Sequence, residues 1–211
     1  MAEPTYEDYL WTAGRGEFSS FCLTYYPGRR VTNIVPELPI IEEYGVIDYN
    51  EIVDLTYVQY EEWDPANQLV GLIDHGNAAI MLEANGFAGS DPRIAAPLSV
   101  NGQQVVSYHY SDGNVSNSLS EFSDGRMIRH MYPEDRVDDA WADTAERLAS
   151  LISMMIKVGF DELTRPTEYP AKHRHNRAAT FALMERLTGI VVEPSVFDLA
   201  RYTAVRVHLA S

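Results

Sequence analysis

Six histidines, one cysteine and 31 carboxylates are the side chains with which this 211-residue chain could ligate a metal, attack a carbonyl or move a proton. Cys22 stands between Phe21 and Leu23 in an apolar run, where a cysteine is far more often a small core residue than a thiolate. No Gly-x-Ser-x-Gly elbow is present to expose a serine nucleophile. His173 and His175, two residues apart, could chelate a metal only from an extended segment, and Arg174 and Arg177 beside them oppose a divalent cation. The pair reads as surface histidines preceding a helix, and Asp74-His75 as part of a turn. A His-Glu-x-x-His helix, a calcium loop and a phosphate loop are all missing from the sequence. The carboxylate pairs Glu42-Glu43, Glu61-Glu62 and Asp138-Asp139 are adjacent, and neighbours on a strand point to opposite faces, so adjacency makes no acid–base dyad. No catalytic residue, metal ligand or cofactor is assigned on these grounds.

Two segments hold the remaining candidates. Glu83-Ala84-Asn85-Gly86-Phe87-Ala88-Gly89-Ser90 reads first as a strand end: Asn85-Gly86 for positive φ, Gly89 for a tight bend, and Ser90 or Asp91 as a helix cap. A small-ligand pocket built on Glu83, Asn85 and Ser90 is its functional alternative. The second segment is acidic and aromatic. No Lys or Arg occurs between Val31 and Pro92, a span with twelve acids. Tyr44, Tyr49, Tyr57, Tyr60 and Trp63 are interleaved with them. A tyrosine-and-carboxylate surface suits an arginine-rich protein through charge-assisted bonds and cation–π contact. Glu42, Glu43, Tyr44, Tyr57, Tyr60, Glu61, Glu62 and Trp63 are the candidate binding residues, against the plainer reading of a solvated face whose rings cover the core.

These segments must be held by a chain with a formal charge of −15. That balance argues against nucleic acid or an anionic membrane as partner and favours a basic protein. A single cysteine excludes an internal disulfide, and no apolar run approaches the 18 residues of a membrane span. The first residues have neither a basic nor an apolar leader region, so a cytoplasmic location is expected. With 45% hydrophobic residues the chain can bury one core.

The elements follow from the patterning. Residues 18–26, 68–74, 78–84, 104–110, 118–123 and 126–132 read as strands, the last two joined by Asp124-Gly125, a strong hairpin signal. Residues 47–60 fit strand or helix. After Asp138 the period changes: Trp141, Ala145, Leu148, Ile152, Met155 and Ile156 recur at helical spacing, capped before by Asp138 or Asp139 and closed by Gly159. Phe181, Met184 and Leu187 trace a second helix ended by Gly189, and 195–202 a short third. Val205, Val207 and Leu209 then alternate with polar residues, a strand with one buried face. The expectation is an α+β fold: a mainly antiparallel sheet from the N-terminal two-thirds, packed against two to three C-terminal helices. Residues 1–211 form one domain in this reading, strand-rich over 18–132, helical over 138–202, with a terminal strand at 204–209.

Five blocks of sequence also carry a resemblance: FCLTYY at 21–26, MLEANGFAGSDPRIAAPLS at 81–99, VVSYHY at 105–110, FSDGRMI at 122–128 and ALMERLTGIVVEPSVF at 182–197. Together they resemble a family of small actinobacterial proteins of unknown function. That resemblance implies one intact domain and brings no activity, cofactor or catalytic residue. The functional expectation therefore rests on the residues: a non-catalytic acidic domain of inhibitor or adaptor type, comparable to an immunity protein or antitoxin, docking on a basic surface. A small hydrolase or ligand-binding domain with its site near 83–90 is the first alternative. A structural subunit of a larger, phage-like assembly is the second.

Overall fold

The computed structural model describes residues 3–13, 20–61, 64–112, 117–135, 137–161 and 163–209. A 3₁₀ turn (Tyr6–Thr12) leads to β1 (Ser20–Pro27), the short α1 (Val31–Ile34), β2 (Ile40–Asp48) and α2 (Tyr49–Glu61). The hairpin of β3 (Asn67–His75) and β4 (Ala78–Ala84) is followed by α3 (Pro92–Leu98). Then come β5 (Gln104–Ser111), β6 (Ser118–Ser123), β7 (Arg126–Met131) and the two-residue β8 (Trp141–Ala142). Helices α4 (Ala145–Met155), α5 (Ala171–Thr188) and α6 (Ser195–Asp198) precede the last strand, β9 (Arg201–His208). All nine strands among the described residues join one antiparallel sheet in the order β2-β9-β3-β4-β1-β5-β6-β7-β8. The α+β class read from the patterning is the class observed.

Local chemistry explains the punctuation. Asp124 (φ 51°) and Gly125 (φ 77°) give the β6–β7 hairpin the left-handed pair that matches strand twist. Asp91 caps α3 by accepting the Arg93 N–H, with Pro92 in the first turn where its missing N–H costs nothing. Gly189 closes α5 in the left-handed conformation.

Helices cover both faces of the sheet. On one side Phe21, Leu23, Ile80, Leu82, Val106, Tyr108 and Tyr202 pack with Ile52 of α2 and with Phe181, Leu183 and Met184 of α5. On the other, Tyr26, Val70, Met81, Val105, Phe122, Val205 and Val207 pack against Ile34 of α1 and Ile94, Ala95 and Leu98 of α3. Doubly covered strands read as continuous apolar runs, which is why all seven residues of β4 are buried.

Several expectations are corrected by this packing. The one-face reading of Val205, Val207 and Leu209 is not among them: all three are buried, with Arg206 half-buried and His208 exposed opposite. What the patterning did not give is that β9 inserts between β2 and β3, with Tyr202 and Ala204 buried on the other face near its start. The stretch 195–202 is helical only over α6, and Tyr202 already belongs to β9. Trp141 is not in a helical stripe: it pairs with His130 in β8, and Thr144, not Asp138 or Asp139, caps α4. His173 and His175 lie inside α5, and His175 is buried, its Nε2 bonded to the Gly159 carbonyl. α5 is buried all round from His175 to Met184, so its polar first turns carry no amphipathic signal for the eye to follow. Residues 47–60 resolve into the end of β2 and most of α2, started by a capping box in which Asp48 and Glu51 satisfy each other's backbone N–H.

Candidate functional site

The acidic stretch occupies one margin of the sheet. Among the described residues β2 is the terminal strand, paired with β9 alone and with its other rim unpaired. Glu42 and Glu43 are exposed on it and Tyr44 is half-buried. Arg206 of β9 reaches Glu42 at 2.9 Å and lies 5.4 Å from the Tyr44 ring centroid, while the Tyr44 hydroxyl donates to Glu42 Oε2 at 2.8 Å. The run without bases is thus compensated in part in three dimensions. Arg29 pairs with Glu37 at 2.7 Å, Arg93 with Asp91 at 2.7 Å, and Arg201 approaches Glu51 at 3.8 Å. Folding brings bases from outside the stretch to its acids. Tyr57 stands on α2 with 59% of its surface exposed. Tyr49 is core, edge-on to Phe197. Tyr60 and Glu61 fall within α2; Glu62 and Trp63 lie outside the described residues.

The segment after β4 is a latch. The Glu83 side chain is fully buried and accepts the backbone N–H groups of Ala88 at 2.7 Å and Gly89 at 2.8 Å. Burial pushes its carboxyl up to about 7, against the downward pull of those two bonds. Gly89 is required because a Cβ there would sit 1.9 Å from Thr24 Oγ1. Asn85 turns out to solvent with φ 56°, and the Ser90 hydroxyl donates to the Phe87 carbonyl at 2.9 Å. Glu83, Asn85 and Ser90 therefore point apart. Cys22 lies across from Glu83 on β1, fully buried, its Sγ 3.3 Å from Ser107 Oγ, and burial pushes its thiol well above the ordinary range.

A third constellation was not visible in sequence. Where the β5–β6, β7–β8 and α4–α5 connections meet the start of α5, Glu134 is gripped by buried amides. Asn176 Nδ2 donates to Oε2 at 2.9 Å and Asn117 Nδ2 reaches Oε1 at 3.4 Å. Asn117 is oriented by accepting the Ser111 N–H at 2.8 Å. His173 Nδ1 lies 3.3 Å from Oε1. Arg165 straps the same loop by donating to the carbonyls of Pro133, Glu134 and Asp135 at 2.8 to 3.1 Å. Asn176 is fully buried, and its Oδ1 has no hydrogen-bond partner among the described residues. Glu134 and Arg165 also border a cavity of about 480 Å³, lined in addition by Asp135, Asp139, Pro166, Thr167 and Lys172. The residues come from the starts of β6 and α5 and from two polar connections, 17 to 42 residues away from Glu134, so no spacing in the sequence announces them.

Among the described residues no group of three or more His, Cys, Asp or Glu side chains is placed to hold a metal ion, and no helix is long and apolar enough to cross a membrane. The fold and its sites thus define an α+β protein built on one helix-covered antiparallel sheet, with an acidic margin and a polar cavity at the far side. The chain belongs to a family of unknown function, DUF6461, whose model matches residues 2–210. No curated protein and no solved structure matches it.

Proposed function

We propose that the protein is a non-catalytic docking domain that receives a basic, extended segment of another protein along β2, as an inhibitor of immunity or antitoxin type or as an adaptor. The unpaired outer rim of β2 carries this reading. An edge strand offers main-chain donors and acceptors to an added strand, and the alternating side chains supply selectivity. Here Glu42, Glu43 and Tyr44 are the side chains on offer, flanked by Ile41 and Val46, both more than half exposed. The acids and the two register shifts in β2 hinder pairing with a second, equally acidic copy while leaving the edge open to opposite charge. The Arg206–Glu42–Tyr44 arrangement is an intramolecular example of the contact an incoming arginine would make. A cytoplasmic setting belongs to this reading and fits a single buried thiol.

A synthetic peptide of alternating arginine and valine is the probe. It is expected to bind at low salt, to protect backbone amides of 40–48 from hydrogen exchange, and to weaken as salt screens the charges. Replacing Glu42 and Glu43 together by Gln removes two charges and releases Arg206, so association should slow several-fold at low salt and far less at high salt. Each exposed charge contributes about 0–1 kcal/mol. Absence of binding, protection elsewhere than 40–48, or equal association rates for both proteins at both ionic strengths would overturn the proposal.

A further inference from the structure

We infer that the cavity bordered by Glu134 and Lys172 binds a small zwitterion, a free α-amino acid or a close analogue. This site lies at the opposite side of the sheet from β2 and does not rest on the docking proposal. The cavity has two electrostatic poles. One is formed by the carboxylates of Glu134, Asp135 and Asp139. Glu134 is held in place by two buried asparagines whose amide orientations are dictated by their partners: Asn117 gives its oxygen to a backbone N–H and its NH₂ to Glu134, and Asn176 also turns its NH₂ to Glu134. A binding carboxylate fixed by buried neighbours in this way is the arrangement a ligand site needs. Its Oε1 makes only the longer contacts, 3.3 Å to His173 and 3.4 Å to Asn117, and so keeps capacity for an ammonium donor.

The second pole is positive. Lys172 lines the cavity from the first turn of α5 and makes no ion pair among the described residues. α5 is 18 residues long, and Pro170 at its start supplies no side-chain cap. The Lys172 backbone N–H is already bonded to the Glu168 carbonyl at 2.9 Å, so it is the Lys172 ammonium that favours a carboxylate here. Arg165 is not part of this pole in the same sense, because both of its terminal nitrogens are committed to three carbonyls of the Glu134 loop. A purely cationic ligand would meet Lys172, and a purely anionic one would meet three carboxylates. A molecule with an ammonium and a carboxylate a few ångströms apart satisfies both, and about 480 Å³ accommodates an amino acid with its side chain.

The test uses the full chain and the common α-amino acids as probes, by thermal shift and calorimetric titration at millimolar ligand. At least one amino acid is expected to raise the unfolding midpoint and bind saturably at a single site. Its methyl ester, which lacks the anion, and its N-acetyl derivative, which lacks the ammonium, should each bind about ten- to a hundredfold more weakly, the consequence of losing one charge-assisted contact. Lys172→Met should weaken the parent amino acid by a similar factor and leave the methyl ester unaffected. Glu134→Gln should weaken the parent and leave the N-acetyl derivative unaffected. Glu134 belongs to a buried network, so if that variant fails to fold, the half-exposed Lys172 decides the matter. Absence of binding by every amino acid, equal binding of either capped form, or unchanged affinity in Lys172→Met would overturn the inference.

Discussion

Glu83 shows how one residue can organise a loop at the expense of its own ionisation. Its carboxyl is removed from water, and burial pushes it up to about 7 from the ordinary 4.5, outweighing the two backbone N–H bonds and the Cys22 contact that pull it down. Between those values the folded state binds more protons than the unfolded chain. Stability from this group is therefore full below about pH 4.5 and falls as pH rises through 7, by on the order of 3 kcal/mol. Glu83→Gln removes the titration. It also sets an amide NH₂ against one of the two backbone donors, so the variant starts less stable by about 1–3 kcal/mol at low pH. Denaturant unfolding of both proteins from pH 5 to 8 should give a falling profile for the parent and a flatter one for the variant. Parallel profiles would show that the charge on Glu83 is not what the folded state resists.

At the scale of elements, the approach of α2 to the sheet depends on a missing side chain. A Cβ at Gly71 would lie 2.4 Å from Ile52 Cδ1 and 3.1 Å from Tyr202 Cβ. Gly71 thus lets a helix and the β9 ring close over β3 without a gap. Gly71→Ala is expected to cost on the order of 1–3 kcal/mol, since overpacking forces side chains off their rotamers or moves the helix. Ile52→Val deletes the clashing Cδ1 and alone costs about 1 kcal/mol. In the Gly71→Ala background the same change should cost less or restore stability, a coupling that a double-mutant cycle on unfolding free energies measures. Strict additivity would mean that Ile52 yields freely and the close packing is not what excludes a methyl group.

The whole molecule balances a formal charge of −15 against a set of local pairs. Arg29, Arg93, Arg201 and Arg206 each meet an acid of the stretch that has no base of its own, yet every one of these pairs has at least one solvent-exposed partner, which keeps it individually weak. Self-repulsion of the excess acids acts over longer distances and is screened beyond roughly 10 Å at about 0.1 M salt. Moderate sodium chloride should therefore raise the thermal midpoint relative to a low-salt buffer, even though it weakens the pairs. A midpoint that falls with salt would assign the larger contribution to the arginine pairs instead.

What the amino-acid order determined by itself was the local and the periodic. Asp124-Gly125 dictates its hairpin because left-handed dihedrals there exclude most other residues, and Asp91-Pro92 starts its helix for equally local reasons. The switch from strand to helical patterning near residue 140 was enough to give the α+β class, because burial of one face imposes its period on the chain. Long-range placement was not legible. That β9 would slip between β2 and β3 and deliver Arg201 and Arg206 to distant acids depends on which edges meet. The burial of Glu83 was hidden as well, since an isolated acid in an apolar strand looks the same whether it faces water or two backbone donors. Least visible was the Glu134 cavity, assembled from polar connections whose residues have no common period. Only tertiary structure brought Asn117, Glu134, Lys172 and Asn176 together, because the meeting of loops with the start of α5 is a property of how elements are stacked in space and not of spacing along the chain.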